Sequence, residues 1–307
     1  MEQREFMVEA EAAGQRIDRF LSGEDTGLSR SALQALVAEG HVLCNGKQIA
    51  KSLKLKAGDT VLLEIPDAKP IEAVPQDIPL DIVYEDEHLL VVNKPKGMVV
   101  HPAPGNPDGT LVNALLWHCK GSLSGIGGEI RPGIVHRIDK DTSGLVLAAR
   151  NSYAAPLLAQ GVEKLYYAIV EGELPLGPGV IDAPIGRQGD SIIGRCVTPE
   201  GKPSRTEYTI LKAKNGLSLA ACVPVTGRTH QIRVHFASLG HPLAGDDLYG
   251  GHRERVGRQA LHCAKQTYTI PAYTPMPDGI VIDWEAPRQR ITVESPLPAD
   301  LQALLTD

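Results

Sequence analysis

Arg131-Pro132-Gly133-Ile134-Val135-His136-Arg137-Ile138-Asp139-Lys140-Asp141-Thr142-Ser143-Gly144 runs directly into Leu145-Val146-Leu147-Ala148-Ala149. The apolar run suits a central strand covered on both faces. Five charged residues crowd the segment that feeds it. If residues 136–139 are extended, Arg137 and Asp139 project to the same side. Loops at the ends of core strands often carry functional groups, because the scaffold fixes their position. A second reading competes: Asp141, Thr142 and Ser143 are turn formers, and Gly144 would close an ordinary polar turn. On composition alone the turn reading is the stronger.

A second cluster lies downstream, in Thr226-Gly227-Arg228-Thr229-His230-Gln231-Ile232-Arg233-Val234-His235. His230 to Leu239 is a helix candidate, on which His230 and Arg233, three apart, share a face. Taken alone, the cluster is as readily a solvated basic face as a functional one.

Outward from these segments the chain divides by composition. Residues 14–65 form one unit, with a short helix over Arg16–Leu21 and a second over Arg30–Glu39, N-capped by Ser29 and ended by Gly40. Asn45-Gly46 marks a hairpin between His41–Cys44 and Lys47–Ile49, and a turn at Gly58-Asp59 leads to a strand at Val61–Ile65. Residues 66–79, with Pro66, Pro70, Pro75 and Pro79 among acids, read as an extended linker. From residue 80 to 307 the pattern is that of one α+β domain. Its strand candidates include Ile82–Tyr84, Leu89–Val92, Tyr166–Glu171, Arg205–Leu211 and Leu217–Val223. Ala154–Val162 and Pro298–Leu305 are further helix candidates. There is neither βαβα alternation nor an internal repeat.

The net charge of −6 over 307 residues argues at first against a nucleic-acid partner. The charge is sorted, however. From Leu28 to Gly58 the bases are Arg30, Lys47, Lys51, Lys54 and Lys56 against Glu39 alone, whereas Asp67 to Glu87 is strongly acidic. Cys44, Cys119, Cys196, Cys222 and Cys263 are odd in number and form no CxxC pair, which disfavours a disulfide framework or a zinc site. No apolar run reaches the roughly 20 residues of a membrane span, and the N-terminus lacks a signal-type apolar core. A soluble, cytoplasmic protein is expected. No GxSxG, GxxxxGK[ST] or HExxH motif is present, Gly125, Gly127 and Gly128 miss the GxGxxG spacing, and no metal or cofactor site is expected.

Four ordered blocks carry a resemblance. His136-Arg137-Ile138-Asp139 with Thr142-Ser143-Gly144-Leu145 resembles the HRxDxxTSGL motif of RluA-type pseudouridine synthases. Lys164–Gly172 resembles the KxYxAxVxG segment of that family, and Gly227–His235 its GRTHQIRVH segment. Gly240–Leu243, Gly245-Asp246, Leu248–Gly250 and Ala260–His262 resemble its closing stretches. Arg16–Leu21, Ser29–Ser31 and Gly40–Lys47 are similar to the alpha-L RNA-binding domain of ribosomal-protein type. The whole chain is thus similar to RluD-like large-subunit ribosomal RNA enzymes. Ile138 and Cys44 depart from the commoner Leu and Val, and neither removes a chemical group.

The resemblance implies a catalytic domain on a mixed, mostly antiparallel sheet with flanking helices, behind a small α/β RNA-binding domain. It implies isomerisation of selected uridines in structured RNA to pseudouridine, without a cofactor. Asp139 is implied as the essential carboxylate, Arg233 as its charged partner, and Tyr166 as a ring stacked on the uracil that helps remove a proton. Arg137 is implied to fill the helix vacated by a flipped uridine, a compensation that the few kcal/mol of unstacking makes reasonable. Arg30, Lys47 and Lys51, with Lys54 and Lys56, are candidate phosphate contacts, which anchor without reading sequence. Transfer RNA as substrate, and a non-catalytic ribosome-assembly role on the same fold, are the alternatives. A monomer is the default expectation.

Overall fold

The structure is a computed structural model that describes residues 2–24, 30–49, 53–65, 73–86, 88–103, 105–119, 133–150, 158, 161–189, 191, 193–270, 272–276, 279–283 and 289–306. The chain separates into two compact units, Met1–Pro70 and Ile71–Asp307.

In the first unit, β1 (Glu2–Met7) precedes the helices Ile17–Gly23 and Arg30–Ala38. β2 (Val42–Cys44), β3 (Lys47–Gln48) and β4 (Thr60–Ile65) follow. The strands form an antiparallel sheet in the order β1-β4-β2-β3. Asn45 and Gly46 both adopt positive φ, 51° and 74°, as a two-residue turn with the twist of its strands requires. Ile17, Leu21, Leu33, Val37, Val42, Val61 and Leu63 form a closed core. Ser29, the expected N-cap, lies outside the described residues. The sequence reading missed β1 because its alternation is written mostly in charged residues. Arg4, Phe6 and Val8 turn inward while Gln3, Glu5 and Met7 are exposed, and charge on an edge strand discourages pairing with other chains.

The second unit contains β5 (Ile82–Glu85), β6 (Leu89–Lys94), β7 (Ser143–Ala149) and β8 (Val162–Glu171). Next come β9 (Gly177–Asp182), β10 (Ile185–Arg187), β11 (Arg195–Val197), β12 (Arg205–Lys214) and β13 (Leu217–Pro224). β14 (Leu261–Ile270), β15 (Ala272–Met276), β16 (Gly279–Asp283) and β17 (Gln289–Glu294) complete the set. The main sheet runs β5-β6-β7-β14-β8-β13-β12-β9, with β17 also paired to β14. β10 with β11, and β15 with β16, form separate hairpins. Among the described residues only the β7–β14 pair is parallel, through His262 opposite Ser143 and Cys263 opposite Gly144. β7 and β17 therefore share one edge of β14, which explains why the parallel contact is so short.

Every residue of β7 is buried, as the continuous apolar run foretold. Gly144 lies where β7 meets β14. Its φ is 110°, and a Cβ there would stand 2.3 Å from the carbonyl oxygen of Cys263. The Thr-Ser-Gly-Leu stretch is thus a strand entry that only glycine permits, and the turn reading covers only its first part: Thr142 N–H closes a turn on Asp139 O at 3.2 Å.

The helix Leu111–His118, unforeseen from sequence, is capped by Thr110 in a reciprocal pair with Asn113. The Asn113 amide also donates to Val74 O at 2.8 Å, and Gln76 Oε1 accepts from Gly109 N–H at 2.7 Å. These bonds tie residues 74–76 of the Pro-rich segment to the rest of the second unit, which begins at Ile71. The helix candidate Ala154–Val162 falls mostly outside the described residues, and its last residue opens β8. The glycines at 125–128 also lie outside them. No described helix is long and apolar enough to cross a membrane.

Candidate active site

A cavity of about 400 Å³ opens in the second unit, within the usual range for a small-molecule site. One wall comes from β8. Side chains alternate across a strand, so Val162, Lys164 and Tyr166 share a face, and all three line the cavity. Tyr167 does not. Residues 136–139, the loop Pro224–Arg228 and the start of the helix Gln231–Ser238 supply the other walls.

Asp139 and Arg233, 94 positions apart, meet here. Arg233 Nη1 donates to Asp139 Oδ2 at 2.9 Å. Its other donors are held by a residue to which the sequence reading gave no role: Nε and Nη2 reach Asp246 Oδ2 and Oδ1 at 2.6 and 2.8 Å. The Asp246 side chain is 1% exposed, against 22% for Asp139. Burial opposes the charge of Arg233, but hydrogen bonds and charge from Asp246, then Asp139, outweigh it and raise its pKa. The guanidinium also packs on the Tyr249 ring, 5.0 Å from the centroid, in a favourable cation–π contact.

The structure places His230 differently from the sequence reading. The expectation that it shares a helical face with Arg233 is corrected: it precedes the helix in a left-handed conformation, φ 57°. This bend turns its ring toward Asp139, with Nε2 3.8 Å from Oδ1. Nδ1 lies 2.7 Å from the Tyr249 hydroxyl, which also accepts from Arg195 N–H at 3.1 Å. That acceptance leaves the Tyr249 proton for Nδ1, and on this assignment Nε2–H faces the carboxylate. Burial lowers the His230 pKa, with the Asp139 charge opposing it.

Gln231 fixes the opposite wall. Its Oε1 accepts from Thr226 Oγ1 at 2.7 Å and Arg228 N–H at 3.0 Å, while Nε2 donates to Arg205 O at 2.9 Å and Thr206 Oγ1 at 3.0 Å. A buried amide satisfied on both ends orders its surroundings, here the loop facing Tyr166. Tyr166 is buried, and burial, then Cys263 and Asp139, push its pKa well above that of a free phenol. It therefore rests protonated.

His136 lines the cavity and also bonds to the sheet. Leu147 N–H donates to its Nε2 at 3.3 Å, and the Gln266 amide nitrogen lies 2.9 Å from the same atom. A backbone N–H can only donate, so Nε2 is an acceptor and the ring proton sits on Nδ1. Nδ1 is buried without a hydrogen-bond partner among the described residues. Burial holds the His136 pKa well below its ordinary value. Lys164 lines the cavity nearby, and burial lowers its pKa too.

Arg137 is exposed and lines the cavity. In the first unit Lys47, Lys54 and Lys56 are exposed. Arg30 is the first residue of its helix, and its side chain, like all of Lys51, lies outside the described residues. Among the described residues no group of three or more His, Cys, Asp or Glu is placed to hold a metal.

The site thus offers a fixed, part-exposed carboxylate, a locked guanidinium and a buried aromatic ring. Asp246 and Tyr249 hold the guanidinium and Gln231 holds the loop at Thr226–Arg228, and the sequence signalled these three only as letters of the later blocks.

A family model described as RNA pseudouridylate synthase matches residues 88–238, and one described as S4 domain matches residues 15–61. An uncharacterized RNA pseudouridine synthase of Bacillus subtilis is 40% identical over 313 residues, covering 99% of this chain and 98% of that protein. The ribosomal large subunit pseudouridine synthase D of Zymomonas mobilis is 43% identical, with 96% and 94% covered. Its namesake in Pseudomonas aeruginosa is 40% identical, with 100% and 96% covered. Among solved structures, human RNA pseudouridylate synthase domain containing 1 has a TM-score of 0.51 at 26% identity, covering 79% of this chain and 98% of that one.

Proposed function

This chain belongs to the RNA pseudouridylate synthase family, and from that premise we propose that Asp139 is its essential carboxylate and large-subunit ribosomal RNA its substrate. The observation that carries the first part is the 2.9 Å pairing of Asp139 with an Arg233 that Asp246 already holds by two bonds. A carboxylate inside a site closed over a base needs a charged partner to stay ionised, and a locked guanidinium supplies it without moving.

The isomerisation breaks the C1′–N1 bond of a uridine, turns the base, joins C5 to C1′ and releases the C5 proton while N1 regains one. Asp139 stands beside the C1′–N1 bond. The Tyr166 ring stacks on the uracil, and its raised pKa makes it a neutral phenol when the base enters. Arg137, exposed at the cavity beside Asp139, takes the space that the flipped nucleotide leaves. The lysines of the first unit anchor RNA backbone with a salt-dependent affinity.

The substrate reading rests on the two relatives named for the large ribosomal subunit, which match nearly end to end. Asp139→Asn should abolish pseudouridine formation and keep RNA binding; wild-type turnover in that variant would sink the reading. Pseudouridine mapping of RNA from cells lacking the protein tests the substrate: sites lost from transfer RNA and none from large-subunit RNA would overturn it. Growth and ribosome profiles restored by Asp139→Ala would point to an assembly role.

A further inference from the structure

Lys140 and Asp141, the two residues after Asp139, present their backbone carbonyls to two buried basic side chains. Lys94 is fully buried, and its Nζ donates to Lys140 O at 2.9 Å and to Pro95 O and Met98 O at 2.8 Å each. Gly97 N–H adds a bond to Lys140 O at 3.0 Å. Arg258, with a side chain 4% exposed, donates from Nη1 to Asp141 O at 3.1 Å and to Leu261 O at 3.2 Å. Its Nε and Nη2 are taken by Asp300 Oδ2 and Oδ1 at 3.0 and 3.1 Å. Asp300 belongs to the short final helix, Ala299–Gln302, whose Leu301 is completely buried in a small core with Ile169, Leu217 and Ala260. Lys94, Arg258 and Asp300 are not among the residues lining the cavity.

We propose that Asp300 and Arg258 are positioning residues for Asp139, through which the C-terminal helix sets the loop that carries the carboxylate. A guanidinium can hold the Asp141 carbonyl only while its own plane is fixed, and the two-point bond to Asp300 fixes it. Without Asp300, Arg258 is a buried cation without its charge partner, a state that favours rearrangement. The Asp141 carbonyl is then released, and the turn that binds Thr142 N–H to Asp139 O loses its outer support. Asp139 moves relative to an Arg233 that Asp246 still holds. A misplacement of about 1 Å at a reacting group costs roughly 100-fold in rate. The inference rests on the reading of Asp139 as the reacting carboxylate.

The test uses the full chain and a transcript of large-subunit ribosomal RNA, with single-turnover rate, RNA affinity and urea midpoint measured together. Asp300→Asn and Arg258→Lys should each slow the reaction about 10- to 100-fold while affinity stays within about twofold. The double variant should be little slower than the worse single, because both act through one path. Asp300→Glu should recover part of the rate. Lys96→Ala should react normally, because Lys96 binds Asp300 Oδ2 at 2.9 Å but none of the loop carbonyls. Normal rates in Asp300→Asn and Arg258→Lys, beside an inactive Asp139→Asn, would overturn the clamp alone. So would rate and affinity falling together, or a rate loss that only tracks the urea midpoint. An active Asp139→Asn would overturn the reading beneath it.

Discussion

Arg233 gives one hydrogen bond to Asp139 and two to Asp246. The more exposed carboxylate therefore holds only a single corner of the fork, while the buried one sets its plane. The arrangement separates two tasks. Asp246 orients the cation, and Asp139 remains open on its second oxygen, toward His230 Nε2 at 3.8 Å.

Asp246→Ala should consequently damage both stability and activity. It leaves a buried guanidinium with only a part-exposed partner, a change that typically costs about 3–5 kcal/mol. Urea unfolding should show a loss of that order. At temperatures where the variant is still folded, pseudouridine formation should fall at least about 100-fold, because the partner of Asp139 is misplaced. A variant with normal turnover would show that Arg233 needs no second anchor.

Arg233→Lys tests geometry at constant charge. An ammonium cannot give three bonds in the plane of a fork to two carboxylates, and it loses the stacked contact with Tyr249. The expected outcome is a rate about 10- to 100-fold lower with RNA affinity nearly unchanged. Equal rates would mean that only the positive charge matters, and would remove the argument for Asp246 as an orienting group.

These pairings also show where the sequence was readable. β7 was legible from Leu145–Ala149 because a strand buried on both faces is written in consecutive apolar residues. Asn45-Gly46 was legible because a tight hairpin turn demands positive φ. β1 and β14 were not: Glu2–Met7 presents charge on an edge, and Leu261–Ile270 mixes buried Gln266, Thr267 and Tyr268, of which Gln266 and Thr267 bond to Leu145 and Thr292 on other strands and Tyr268 bonds to Gln266. Asp139, Tyr166 and Arg233 became candidates only through resemblance, since no local rule separates a functional Asp from a turn Asp. Asp246 and Asp300 escaped for a different reason. Their roles exist only once residues 13 and 42 positions away, Arg233 and Arg258, have folded against them.

Gly144→Ala addresses the step from sequence to sheet. The added Cβ would meet backbone atoms of Cys263 at 2.3, 2.6 and 2.8 Å, and backbone cannot swing aside as a side chain can. The left-handed φ adds about 1–2 kcal/mol of its own. The variant should be destabilised by more than about 2 kcal/mol, with β7 and β14 forced apart beside the loop of Asp139. Thermal unfolding would check this, and a midpoint within a degree of wild type would contradict the close approach. Gly105→Ala, with positive φ but no atom within 4 Å of the added carbon, separates conformational cost from the clash.

The buried histidines should make the protein sensitive to mild acid, and His262 is the case with a number. It lies 1% exposed, with Nδ1 2.9 Å from Ser143 Oγ and Nε2 3.3 Å from Ser295 O. A carbonyl can only accept, so Nε2 carries the proton and Nδ1 takes the serine's. Burial pushes the pKa down to about 4, against the Ser295 hydrogen bond. Between that value and the ordinary 6.5 or so, the unfolded chain binds the proton and the folded chain does not. Stability therefore falls as pH drops through this window, by roughly 3 kcal/mol from His262, and its contribution levels off below pH 4, where both states are protonated. His136, His230 and His235 are lowered by burial too and act in the same direction. Wild type and His262→Gln, compared by urea unfolding from pH 7 to pH 4, isolate the one group. The variant should lose less stability on acidification, because a glutamine can accept from Ser143 and donate to Ser295 without gaining a proton. Parallel pH profiles for the two proteins would show that His262 titrates normally and that the acid sensitivity arises elsewhere.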